Sequence, residues 1–208
     1  MKRVFLTAIL ALVCTLGFAQ VSFNAKAGLN LSTHIGDGSD DAKFIPGARV
    51  GVGMEYQFTD LLSLQPSLFF SMKGAKYEFG NSDNYFKYKQ YYMELPVNVQ
   101  FRVNIVDDTN FIFATGPYLA YGVGGKSTLK GSVNLPILGN YSKNSDIKTF
   151  DDEEGMGLNR FDAGWNIGAG VELGQYIIGI NTQLGFCKLH DDLSLKNANI
   201  GINLGYKF

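Results

Sequence analysis

The stretch Ala198-Asn-Ile-Gly-Ile-Asn-Leu-Gly-Tyr-Lys-Phe208 decides the fold. Ala198, Ile200, Ile202, Leu204, Tyr206 and Phe208 form one row, and Asn199, Gly201, Asn203, Gly205 and Lys207 the other. Successive side chains of a β-strand point to opposite faces, so the segment is apolar on one side and polar or bare on the other. Such an apolar row has to be kept from water. In a transmembrane barrel it faces lipid while the polar row faces the lumen, and a tilted strand of roughly ten residues crosses the bilayer.

The opposite end agrees. Lys2 and Arg3 precede the apolar run Val4 to Val13, and Gly17-Phe18-Ala19 offers a small-x-small cleavage site before Gln20. This pattern predicts a cleaved secretory signal peptide over residues 1–19, too short and wrongly flanked for a spanning helix. A lipoprotein reading at Cys14 is disfavoured, because Val13 stands where a small residue is expected. Residues 20–208 are then expected to form one outer-membrane β-barrel domain. No later segment approaches the roughly 18 consecutive apolar residues that a membrane helix requires.

Composition narrows the partners. Losing Lys2 and Arg3 with the leader takes the formal charge from −1 to −3, which argues against nucleic acid. Cys187 is the cysteine left after processing, so no internal disulfide is expected, and no cysteine spacing suggests a metal centre.

Parity along the mature chain marks eight alternating segments. Their outward rows run through Phe23–Leu31, Ala48–Phe58, Leu62–Met72, Tyr91–Phe101, Phe111–Tyr121, Phe161–Leu173, Tyr176–Phe186 and Ala198–Phe208. The intervening row is dominated by Gly, Asn, Gln, Ser and charges, a period of two rather than a helical period. Short connections at 59–61, 107–108 and 174–175 alternate with long polar loops at 32–43, 74–89, 123–160 and 187–197. That asymmetry is expected of an outer-membrane barrel with both termini in the periplasm. Closure also removes the sheet edges so apolar a chain would otherwise expose. Pro96 and Pro117 interrupt one hairpin, predicting a bulge or gap in its ladder.

Aromatics gather at two levels, as interfacial girdles do. Tyr56, Phe58, Phe101, Phe111, Tyr176, Tyr206 and Phe208 lie toward the periplasmic end, and Tyr91, Tyr121, Phe161 and Phe186 toward the outer end. The fold class expected is all-β, an eight-stranded antiparallel up-and-down transmembrane barrel. A soluble lipocalin-like barrel would bury the apolar row inside and leave the glycines and charges outside.

The inward row holds Lys26, Arg49, Glu55, Lys73, Glu94, Arg102, Asp162, Glu172 and Lys207. Acids and bases nearly balance, and an eight-stranded barrel is just wide enough for side chains, so an ion-pair network filling the lumen is expected. The alternative use of these groups is an ion or proton path, that is, a narrow transporter or pore.

Both histidines fall in predicted outer loops: His34 with Asp37, Asp40 and Asp41, and His190 with Asp191 and Asp192. The first and last hairpins are neighbours in such a barrel, so imidazole and carboxylates could converge on a divalent ion. The spacing completes no calcium loop, and solvated acidic loops are the simpler reading. The long third loop, with Asp146, Asp151, Asp152, Glu153 and Glu154, is expected to be solvated and available to a partner. A lipid-modifying enzyme at the rim would need His34 with Ser32 or Ser39, or His190 with Ser194, and neither neighbourhood has triad spacing. No catalytic, cofactor-binding or metal-binding residue is assigned, and no catalysis is expected.

The ordered set Lys26-Ala-Gly-Leu-Asn30, Pro46-Gly-Ala-Arg-Val-Gly51, Leu62-Leu-Ser-Leu-Gln-Pro66, Lys73-Gly74, Glu94-Leu-Pro96 and Gly116-Pro-Tyr118 resembles the PorT-type outer-membrane β-barrel family. Gly125-Lys126, Gly168-Ala-Gly170 and Gly205-Tyr-Lys-Phe208 continue the likeness. The resemblance implies a small barrel in the outer membrane of a Gram-negative bacterium, with some relatives linked to secretion. The closing strand also resembles the segment by which barrel-assembly machinery recognises its clients. Outer-membrane lipid and that machinery are the partners expected, the chain being otherwise monomeric and acting through its loops.

Overall fold

The alternating segment at 198–208 is the last stave of a closed ring. The computed structural model describes residues 21–78, 85–130, 132–135, 139–142, 145–150, 157–190 and 194–208. The expected signal peptide lies outside the described residues.

The staves are β1 (Val21–Ile35), β2 (Ile45–Gln57), β3 (Leu62–Glu78), β4 (Tyr85–Val106), β5 (Thr109–Lys130), β6 (Phe161–Leu173), β7 (Tyr176–Gly185) and β8 (Lys196–Lys207). Each pairs antiparallel with the next, and β8 returns to β1 with Ile202 opposite Leu29. Short strands decorate the outer end: Ala42–Lys43 pairs with β3, Ser145–Lys148 with β5, and Ser132–Leu135 forms a hairpin with Gly139–Ser142.

The predicted parity holds. Ile202 and Leu204 are each 61% exposed, whereas Asn199 is buried. In water a wall this apolar would be unstable; in a bilayer each outward side chain meets hydrocarbon. Aromatics edge the short-turn end, with Tyr206 packed edge-on against both Tyr176 and Phe208, and Tyr56 against Phe58. The turns there are tight. Gly174 takes φ +57°, a left-handed conformation that a side chain would strain.

The prolines are accommodated by a gap. Paired register runs from Leu95–Leu119 and Pro96–Tyr118 directly to Val99–Thr115, with no shift. The hairpin's two register shifts lie to either side: further out, Tyr91 faces Gly124 and Tyr92 faces Gly122, leaving Val123 as the extra residue, and a second falls beside the short turn between Asn104 and Val106.

The outer loops are shorter than the sequence suggests. Residues 32–35, 74–78, 85–89 and 123–130 are strand, and β4 and β5 reach 22 residues each. Six residues of β4 lie beyond Tyr91, so at a tilt of about 45° the ring rises roughly 15 Å past the aromatic level. Above the membrane the chemistry of the two faces inverts. Lys87 and Lys89 point outward while Phe86 and Tyr88 are buried inside. Strand parity is unbroken, but outside is now water, so the apolar residues turn in.

Candidate functional site: the lumen and its outer cap

The inward charges form two stacked clusters. At the short-turn end Arg102 lies 2.7 Å from Glu55 and 2.9 Å from Glu172, and Lys207 lies 3.7 Å and 3.8 Å from the same two acids. Further out Lys73 sits 2.5 Å from Glu94, with Arg49 at 3.9 Å from the same carboxylate. The Arg49 guanidinium also stacks 4.0 Å above the Phe69 ring, and the Lys73 ammonium lies 4.7 Å from the Tyr118 ring. Two expected members of the network take neutral partners instead. Lys26 donates to Gln65 Oε1 at 2.7 Å, and Asp162 accepts from Tyr118 Oη at 3.1 Å and Asn197 Nδ2 at 3.0 Å.

Between the clusters an asparagine belt runs around the wall. Asn203 donates to Asn181 at 2.6 Å, Asn181 to Asn166 at 3.5 Å, and Asn166 to Asn98 at 2.9 Å. These amides line a cavity of about 80 Å³ together with Lys26, Arg49 and Gln65. Such a space holds several waters and has the polar partners that ordered waters need.

An aromatic cap closes the outer end. Tyr77, Phe86, Tyr88, Tyr92, Phe150, Leu158, Leu189 and Leu195 pack as one buried cluster. Phe150, which follows the added strand 145–148, meets Tyr92 with ring centroids 5.6 Å apart. Arg160 pins it, donating to the carbonyls of Phe150 and Gly122 at 3.0 Å each.

His34 belongs to this cap and not to an acidic loop. It lies in β1, 3% exposed, with Nδ1 3.1 Å from Tyr77 Oη and its ring 5.4 Å from that of Tyr88. Ser32 is buried beside it, so neither residue stands at a wet rim. The first and last hairpins do meet: Gly36, at φ +115°, packs on the carbonyl of Ser194, where a Cβ would collide. No cluster of three metal-ligating side chains forms among the described residues. Asp191, Asp192 and Asp151 to Glu154 lie outside them.

Outside the cap, Glu78 takes hydrogen bonds from Lys43 and, at 2.7 Å, from Lys76. Those two bonds hold its carboxyl below the usual carboxylate range. The cap and the asparagine belt were not anticipated from sequence. Their signal was present as Phe86, Tyr88 and Gln90 alternating with Lys87 and Lys89, and as Asn at inward positions of successive strands.

The family described as outer membrane protein beta-barrel domain matches residues 10–207 of the chain. No curated protein matches it. Among solved structures, Ail, the attachment invasion locus protein of Yersinia pestis, is similar at 16% identity over 91% of this chain and 99% of its own, with a TM-score of 0.44. Neisserial surface protein A (NspA) is similar at 11% identity, covering 90% and 99%, with a TM-score of 0.49. The outer membrane protein OprG from Pseudomonas aeruginosa shares 10% identity over 90% and 95%, with a TM-score of 0.39.

Proposed function

The chain belongs to the outer membrane protein beta-barrel domain family, and from that premise we propose that it is a non-conducting, non-catalytic envelope protein acting through its outer surface. It is an integral protein of the outer membrane. The observation that carries the proposal is the filling of the lumen. Two ion clusters, an amide belt and an aromatic cap occupy successive levels of the barrel, and the cavity beside the belt is about 80 Å³. A solute path would need these buried pairs to separate, and a buried charge without its partner is costly. The lipid face is apolar and the turns at 58–61, 107–108 and 174–175 are too short to form a pocket.

Surface recognition is therefore assigned to the outer extension. Some barrels of the PorT-type family that the motifs from Lys26 to Phe208 resemble are linked to secretion, and a secretion-associated use of this extension is one form the reading takes. Outer-membrane lipid and, during insertion, the barrel-assembly machinery are the partners this reading requires, with the barrel itself monomeric.

The test separates surface from lumen. Replacing residues 131–144 by a two-residue Asn-Gly turn leaves β5, the strand 145–148 and Phe150 in place. The folded variant, verified by heat-modifiable migration and restored to a deletion strain, should lose the envelope phenotype of the gene. Retention of that phenotype, with its loss on Glu94→Gln or Arg102→Gln in a barrel that still folds, would move the function into the lumen. A narrow transporter would then replace this reading.

A further inference from the structure

The inward charges of the spanning ring do not cancel. The carboxylates Glu55, Glu94, Asp162 and Glu172 face the cations Lys26, Arg49, Lys73, Arg102 and Lys207, one positive charge in excess. Arg102 and Lys207 belong to Glu55 and Glu172, and Lys73 and Arg49 to Glu94. Lys26 stands outside both clusters. It donates to Gln65 Oε1 at 2.7 Å and forms no ion pair among the described residues. A cation enclosed in protein without a counter-charge is costly, and a neutral hydrogen bond offsets only part of that cost.

The wall around this lysine is bare. Register sets Lys26 between Gly51 of β2 and Gly205 of β8, so neither adjoining strand presents a side chain beside it. A Cβ at Gly205 would stand 3.0 Å from Lys26 Cγ. Lys26 and Arg49 both border the cavity of about 80 Å³ beside the asparagine belt. On the same wall Arg49 Nε, Gln65 Nε2 and Ser67 Oγ have no hydrogen-bond partner, and these residues are 6%, 2% and 4% exposed. Asn203 Oδ1 is the one unpartnered carbonyl among the described lining side chains. Unsatisfied buried donors are rare in folded proteins, and three on one cavity wall mark a place built to receive an acceptor. Water accepts from such donors but carries no charge to set against Lys26.

We propose that this cavity is a binding site for one small monovalent anion of the halide class, held between Lys26 and Arg49 with Gln65 and Ser67 donating to it. Charge-assisted hydrogen bonds from the ammonium and guanidinium supply the strongest contacts. A single excess charge calls for a monovalent ion. A halide is little larger than a water molecule, so a space of this size takes it together with some water. The ion is a resident counter-charge that completes the packing of the lumen.

The test is urea unfolding of the full-length folded barrel in detergent micelles, with chloride replacing gluconate at constant ionic strength. A ligand of the folded state stabilises it by RT ln(1 + [L]/Kd), so the wild-type midpoint should climb with the logarithm of chloride concentration above Kd. Lys26→Met removes the surplus charge while keeping a long apolar stem, and its midpoint should be flat. Crystals of the wild type grown in bromide should show anomalous density in the cavity, within hydrogen-bond reach of Lys26 Nζ. Should Lys26→Met fail to fold, the wild-type titration and the bromide map decide. Neither readout depends on whether the barrel conducts. A chloride-independent midpoint in the wild type overturns the proposal. So does an equal chloride shift in Lys26→Met, which would make it a general salt effect, and so does a bromide map with no density between Lys26 and Arg49.

Discussion

The Lys73 ammonium lies 2.5 Å from the Glu94 carboxylate, and both side chains are buried in the barrel. Breaking such a pair from one side leaves a buried charge without a partner, which costs about 3–5 kcal/mol. Glu94→Ala is expected to destabilise the folded barrel by that amount, since Arg49 is orphaned along with Lys73. The triple change Arg49→Met/Lys73→Met/Glu94→Leu, which leaves no charge of this cluster unpaired, should cost much less. Urea unfolding in detergent micelles, read by heat-modifiable migration, compares the two.

The lipid face makes a different demand. Ile202 is outward and Asn203, its neighbour, faces the lumen where it donates to Asn181. Ile202→Arg should cost about 2–4 kcal/mol if Ile202 lies near the bilayer midplane, because arginine there must reach the headgroups or deform the bilayer. Refolding titrations into vesicles measure that penalty. A cost near zero would place residue 202 off the lipid face.

Trp165 reports on the same face without any substitution. It is the only tryptophan, 44% exposed on β6, with Nε1 donating to Thr115 Oγ1 at 2.8 Å. Its emission should be quenched by lipids brominated on the acyl chains and spared by iodide in the aqueous phase. Iodide quenching with no bromine effect would turn this strand around.

The membrane-spanning part of the ring was legible because two solvents act on one strand, so Ile200, Ile202 and Leu204 contrast at every step with Asn199, Gly201 and Asn203. The charges Glu55, Arg102, Glu172 and Lys207 were legible for the same reason, sitting at inward positions of four strands. His34 was not. Reading outward apolar residues as the mark of a strand ends β1 at Leu31, although Ser32 to Ile35 continue to pair with β8. The same criterion stops β4 at Tyr91, where lysines replace aliphatics on the outside. Parity continued while polarity reversed. Apart from Tyr92, the aromatic cap lies in that reversed zone and so passed for loop.

The cap gives a prediction of its own. Phe86 is 1% exposed and its ring lies 4.5 Å from that of Tyr88. Phe86→Ala should destabilise the outer extension by about 3–5 kcal/mol, as for a buried aromatic, while the spanning ring stays folded. Limited proteolysis of the intact barrel in vesicles would show new cleavage above the membrane with the heat-modifiable core retained. An unchanged digestion pattern would mean that Phe86 is not part of a packed core.

The central claim is a closed lumen, and conductance across a planar bilayer tests it most directly. The wild-type barrel, reconstituted at single-molecule density, is predicted to give no stable current steps. Removing the cap residue Phe150 by substitution with alanine should not change that, because the clusters around Glu94 and Arg102 still fill the barrel beneath it. Stable ohmic steps from the wild type, altered in size or ion selectivity by Arg102→Gln, would contradict the account.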